Sequence, residues 1–131
     1  MLDKTKPKVY GLESANLNEK FYVFEGPIDS MFINNSIAMA GSSLDSLLST
    51  HKSRAVIVFD NEPRNKEIVK NIEKYIEMGY AVTIWPQHIK QKDINDMVLD
   101  GIQPANIKMI IDNNTFRGIM AMAKLNEWKK V

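Results

Sequence analysis

The sequence predicts an α/β fold: a mainly parallel central sheet of about four strands flanked by helices, with a C-terminal helical tail. Three observations lead there. Short continuous apolar runs, the mark of strands buried on both faces, occur at residues 21–24 and 55–59, and a mostly apolar run broken by Thr83 occurs at 81–85. Between them lie segments whose apolar residues recur at helical spacing, and strands alternating with helices build parallel sheets. The chain has 131 residues, enough for one hydrophobic core and short for two.

Phe21-Tyr22-Val23-Phe24 stops at Glu25-Gly26-Pro27, a strand running into a sharp turn. Asp29 is expected to cap a short helix through Met31, Phe32 and Ile33, ended by Asn34-Asn35 before a second strand at 37–40. After Gly41-Ser42-Ser43, a helical segment carrying Leu44, Leu47 and Leu48 leads to the third strand, which ends on Asp60. Ile68, Val69, Ile72, Tyr75 and Ile76 then define the clearest helix, with Gly79 as its stop. A fourth strand covers 81–85, and Pro86 ends it. A short helix is expected around Met97 to Leu99, closed by Gly101, and another opens at Pro104. Residues 115–128 read as helix throughout, with Phe116, Ile119, Met120, Ala123 and Trp128 on one face. The organisation is a lead-in at 1–20, a core at 21–114 and a tail at 115–131 packed on that core, one domain in all.

Composition excludes several function classes. Hydrophobic residues make up 44% and charged residues 25%, as in globular proteins, and no apolar stretch is long enough to span a bilayer. The start, MLDKTKPK, has charge but no apolar region behind it, so no secretory signal is expected. No cysteine is present, and His51 and His88 are far apart, which removes thiol chemistry and argues against zinc. With 17 Lys+Arg against 16 Asp+Glu the net charge is +1, too little for a whole-molecule field to hold nucleic acid. Basic residues gather locally instead, at Lys4, Lys6 and Lys8, at Lys52 and Arg54, and at Lys124, Lys129 and Lys130. The 8 methionines are expected to fill the core rather than form a docking surface. Both tryptophans, Trp85 and Trp128, read as packing residues, and both histidines as surface residues.

In a parallel sheet, ligands collect beyond the carboxyl ends of the strands. Glu25 ends the first strand, Asp60 and Glu62 follow the third, and Asp93 and Asp96 follow the fourth. Crowded carboxylates repel one another unless some are protonated or a cation sits among them. Oxygen ligands without cysteine or paired histidine favour a hard ion such as Mg²⁺. An acid at a strand end also serves as a helix cap or a solvated loop residue, and position alone leaves both readings open.

Two motifs carry a family resemblance. FEGPIDS at 24–30 and VIVFDNEPRN at 56–65 put a glutamate after one strand and an acid-x-acid pair after a later one. This resembles the signature of TOPRIM domains, which occur in primases, topoisomerases and some nucleases. The succession KVYGLE, FEGPIDSMFINNSIAMAG, VFDNEPRN, KDINDMV and NNTFRGIMAMAKL is similar to the C-terminal part of the DNA primases of T-even-type bacteriophages. It covers nearly the whole chain from Lys8 onward.

The resemblance implies a TOPRIM-like fold and a role for each motif residue. Glu25 matches the general acid or base near the metal, Asp60 and Glu62 the metal-binding pair, and Asp93 a further acid at the metal. Asp29 and Asp96 are additional candidates that serve either the site or a helix cap. Arg64, Lys92 and Asn95 border the same loops and either meet phosphate oxygens or remain solvated. The chain departs from the family where the commoner pair is aspartate-x-aspartate: its second acid is Glu62, followed by Pro63.

The function so implied is that of the metal-binding catalytic part of a DNA primase. It would use Mg²⁺, or Mn²⁺ in its place, in nucleotidyl transfer during RNA primer synthesis for DNA replication. Its partners would be nucleotides, template DNA, the RNA primer and the replicative helicase of a primosome, in the cytoplasm of an infected bacterium. The family's zinc-binding module and polymerase subdomain are absent, so the chain is expected to be inactive or weak alone. The rival readings are a TOPRIM-type metal-dependent nuclease and a non-catalytic helicase-docking module working through residues 115–131.

Overall fold

The structure is a computed structural model that describes residues 9–10, 16–39 and 50–131. Its strands are β1 (Val9–Tyr10), β2 (Phe21–Phe24), β3 (Ser36–Met39), β4 (Ala55–Val58), β5 (Ala81–Thr83) and β6 (Thr115–Phe116). The helices among the described residues are α1 (Pro27–Ser30), α2 (Lys66–Glu77), α3 (Ile94–Leu99), α4 (Pro104–Asn113) and α5 (Gly118–Trp128). The strands form one sheet in the order β1-β3-β2-β4-β5-β6. β3, β2, β4 and β5 run parallel, while β1 and β6 pair antiparallel at the two edges. The α/β class and the parallel centre agree with expectation, and the antiparallel edges make the sheet mixed.

The continuous apolar runs have a simple cause, since every residue of β2 and β4 is buried. Alternate side chains enter opposite layers. Phe21, Val23, Ala55, Ile57 and Val82 join the buried faces of α2 and α5 in one core. Tyr22, Phe24, Val56 and Val58 join Trp85, Ile89 and the inner residues of α3 and α4 in the other. Helices therefore cover both faces of the sheet.

The clearest predicted helix, α2, buries all five residues of its apolar stripe. Asn65 caps it by accepting the backbone N–H groups of Glu67 and Ile68. Gly79, at φ +91°, ends it in the left-handed conformation that suits a residue without Cβ.

Four expectations need correction. The first short helix is Pro27–Ser30 rather than 31–33, because Pro27 with its fixed φ opens it. Asp29 thus lies inside that helix and does not cap it. Residues 115–116 form β6, not helix, because Thr83 and Thr115 face each other across the edge with their hydroxyls 2.9 Å apart. Among the methionines, Met97 is fully buried but Met31, Met109 and Met120 are exposed, so core filling explains only part of the set. His51 is half-buried and packs edge-to-face with Phe21, whereas His88 is exposed as expected. The helical segment read at Leu44 to Leu48 and the turn at Gly41 lie outside the described residues.

Candidate functional site

The sheet order places a topological switch between β2 and β4. From β2 the chain passes through α1 to β3 on one side, and from β4 through α2 to β5 on the other. Ligand crevices in open α/β sheets form at such points, beyond the carboxyl ends of the strands. Phe24 pairs with Val58, so Glu25 and Asp60 leave neighbouring strand ends. The Asp60 backbone N–H lies 3.4 Å from Glu25 Oε1 and donates to it.

The adjoining acids come from two further segments, α1 and the start of α3. Asp29, from α1, accepts the backbone N–H of Asn95 at 3.1 Å through Oδ1. Asp93 accepts the N–H of Asp96 at 2.8 Å and is the N-cap of α3. Two carboxylates therefore serve the N-terminus of one helix, where the N–H groups lack intrahelical partners. The expected cap at Asp96 is supplied by Asp93 instead, and α3 begins three residues earlier than expected, at Ile94.

Repulsion couples the acids of the group. Asp60 is raised from 3.8 to about 7, by burial first and then by the charges of Glu25, Asp29, Asp93 and Glu62. Glu25 is raised mainly by burial, with further push from Glu62, Asp29 and Glu67, while the Asp60 amide works in the opposite direction. Asp29 is also raised by burial first and by Asp93 and Asp96 next, against the bond from Asn95. Glu67, in the first turn of α2, is a member of this electrostatic group that sequence reasoning missed. Its place in an amphipathic helix gave it the appearance of an ordinary first-turn acid.

The basic candidates are split. Arg64 lines a cleft of about 690 Å³ with Asn61, Glu62, Lys90, Trp128 and Lys130. Lys92 lines a separate one of about 430 Å³ with Asp96 and Asp100. Asn95 contributes its backbone N–H to Asp29. Asn61, between the paired acids, and Trp128 were not singled out for the site, yet they are bonded to each other at 3.0 Å.

The chain is 40% identical over 126 residues to the DNA primase of Enterobacteria phage T4, an alignment covering 95% of this chain and 36% of that protein. It is related to a segment of a phage DNA primase. The chain thus spans a little over a third of the length of that primase. No family model matches the chain. None of the described helices is long and apolar enough to cross a membrane.

Chemically, the primase-related segment offers oxygen donors of high negative charge density beside a carboxyl group that resists ionisation. Among the described residues, no three acidic or histidine side chains stand ready-arranged around one point. The donor set suits a hard divalent cation by type.

Proposed function

We propose that this chain is the TOPRIM-type, Mg²⁺-binding catalytic part of a phage DNA primase, acting in nucleotidyl transfer during RNA primer synthesis. The observation that carries this reading is the pairing of Glu25 and Asp60 at adjacent strand ends, at the switch point of a chain related to a phage primase. The glutamate-then-acid-pair order that resembles the TOPRIM signature supports the same reading.

Asp60, Glu62, Asp93 and Glu25 would hold the ion. A bound Mg²⁺ orients phosphate oxygens and offsets the charge that develops during phosphoryl transfer. Asp29 and Asp93 each spend one oxygen on α3, which fixes their carboxylates and leaves the other oxygen of each for water or the ion. Arg64, Lys92 and Asn95 border the approach and would meet the nucleotide's phosphates. In the full enzyme the primer's 3′-hydroxyl attacks the α-phosphate, a new P–O bond forms and pyrophosphate leaves. Glu25, whose proton affinity is raised, would serve either as a ligand to the ion or as the base that takes the hydroxyl proton through Oε2, since Oε1 holds the Asp60 amide. Template reading and primer handling belong to the rest of the primase, so the chain alone is assigned little or no primer synthesis.

Anomalous diffraction from Mn²⁺-soaked crystals tests the site. The expected result is an ion among Glu25, Asp60, Glu62 and Asp93 that disappears in Asp60→Asn. No ion, even with nucleotide present, would sink the reading. Metal-dependent cutting of DNA or RNA by the purified chain, lost in Glu25→Gln, would assign the same acids to a nuclease instead. A docking reading draws support from Ile119, 92% exposed, and Met120, 58% exposed, at the start of α5. Helicase binding that survives Asp60→Asn and is lost in Ile119→Asp would establish that role.

A further inference from the structure

Asn61 sits between the two acids of the Asp60–Glu62 pair, and both polar atoms of its side chain are engaged. Oδ1 accepts the indole N–H of Trp128 at 3.0 Å. Nδ2 donates to the carbonyls of Ile89 at 2.9 Å and Gln91 at 3.1 Å. Its backbone N–H donates to the Lys92 carbonyl at 2.6 Å. One residue thus ties the acid pair to the loop that delivers Asp93 and to the end of α5.

A second bond reinforces the attachment. The backbone N–H of Lys130, just beyond α5, donates to the Pro63 carbonyl at 2.8 Å, so the chain end grips the loop on both sides of Glu62. Trp128 is only 7% exposed, so its indole is fixed in the core, and Asn61, with three side-chain hydrogen bonds and one from its backbone N–H, has little freedom to reorient. Packing alone does not require an indole N–H, since a phenyl ring fills a core without one. Here the N–H is directed at the side chain standing between the paired acids.

We propose that Trp128 is a positioning residue which, through Asn61, sets the placement of Asp60 and Glu62 and with it the affinity of their loop for a divalent cation. The inference rests on the metal-site reading above. Residues that orient ligands without touching the ion commonly change metal affinity by about 10–100-fold when altered.

The test uses Mn²⁺ alone as the probe, its binding followed by water-proton relaxation, with amide hydrogen exchange at Asn61 measured by NMR in the same samples. Trp128→Phe keeps a ring in the core and removes the N–H. The expected result is Mn²⁺ binding weakened by at least about tenfold and faster exchange at Asn61. Asn61→Ala, which leaves Trp128 in place, should produce a comparable loss and guards against misfolding of the first variant. Tyr22→Phe removes a hydrogen bond to Asp112 elsewhere in the fold, and its Mn²⁺ affinity should equal wild type. Unchanged affinity in Trp128→Phe and Asn61→Ala, or an equal loss in Tyr22→Phe, overturns the positioning role. Failure of the wild-type chain to bind Mn²⁺ is a different outcome: it overturns the metal-site reading itself and takes this inference with it.

Discussion

Replacing Asp60 by asparagine should stabilise the metal-free protein while removing its response to Mg²⁺. Asp60 is held from 3.8 up to about 7 by burial and by four neighbouring carboxylates. That displacement corresponds to about 4 kcal/mol, each tenfold in proton affinity being worth about 1.4 kcal/mol. Asp60 keeps some contact with solvent, which screens the repulsion, so about 2 kcal/mol is expected in practice. The sign follows from a folded-state value raised above the unfolded one. The proton's contribution to stability is fully present below about pH 4 and is lost as the pH climbs through about 7. Asp60→Asn should therefore match wild type near pH 4 and exceed it increasingly up to about pH 8. Urea unfolding in EDTA, followed by tryptophan fluorescence across this range, measures the difference. Saturating Mg²⁺ should then stabilise wild type and leave Asp60→Asn nearly unchanged. A variant no more stable than wild type at about pH 8 in EDTA would refute the claim that ionising Asp60 costs the fold stability.

Three further outcomes are expected away from the acids. Tyr22→Phe deletes the buried phenol's bond to Asp112 Oδ1, an oxygen that also takes the Lys20 ammonium at 3.0 Å; a loss of about 1 kcal/mol in urea unfolding is expected. Asn65→Ala uncaps α2, leaving the N–H groups of Glu67 and Ile68 without their acceptor; about 1 kcal/mol should be lost in the same assay. The Arg117 guanidinium donates to the carbonyls of Gly79, Lys52 and Ser53, a spread that one ammonium cannot cover. Arg117→Lys should lower the melting temperature measured by calorimetry, consistent with a cost of about 1 kcal/mol.

The centre of the fold was legible because β2 and β4 are buried on both faces, which leaves continuous apolar runs in the sequence. The edges were not. β1 and β6 have two residues each, too short to show a period, and Thr115-Phe116 continues smoothly into residues with helical spacing. Glu25 and Asp60 could be found because an acid directly after a buried run falls at a strand's carboxyl end. Asp29 was legible as a cap but was assigned to the wrong helix. Its acceptor serves Asn95, 66 positions away, and such a partner becomes visible only when α1 and α3 are laid side by side. The Trp128–Asn61 bond spans 67 positions, and an indole in an amphipathic tail gives no sign that its N–H has a particular target.

The acids at the switch point are not equivalent, and the difference lies in what each receives from the backbone. Asp29 and Asp93 accept N–H groups from the start of α3, where peptide dipoles favour negative charge. Glu25 accepts the more distant amide of Asp60 at 3.4 Å. The causes that act on Asp60 include burial and four like charges but no compensating hydrogen bond. The N-terminus of α2, which follows the Asp60 loop, is capped by the neutral Asn65 and carries the acidic Glu67 in its first turn, so its dipole is already answered locally. The cost of ionisation is thus greatest at Asp60, next to the Asn61 clamp and beside the glutamate of the neighbouring strand. A cation bound as proposed would have to displace the proton that Asp60 retains, relieving the repulsion among its neighbours, and Asp29 and Asp93, already anchored to α3, are the acids whose positions would change least.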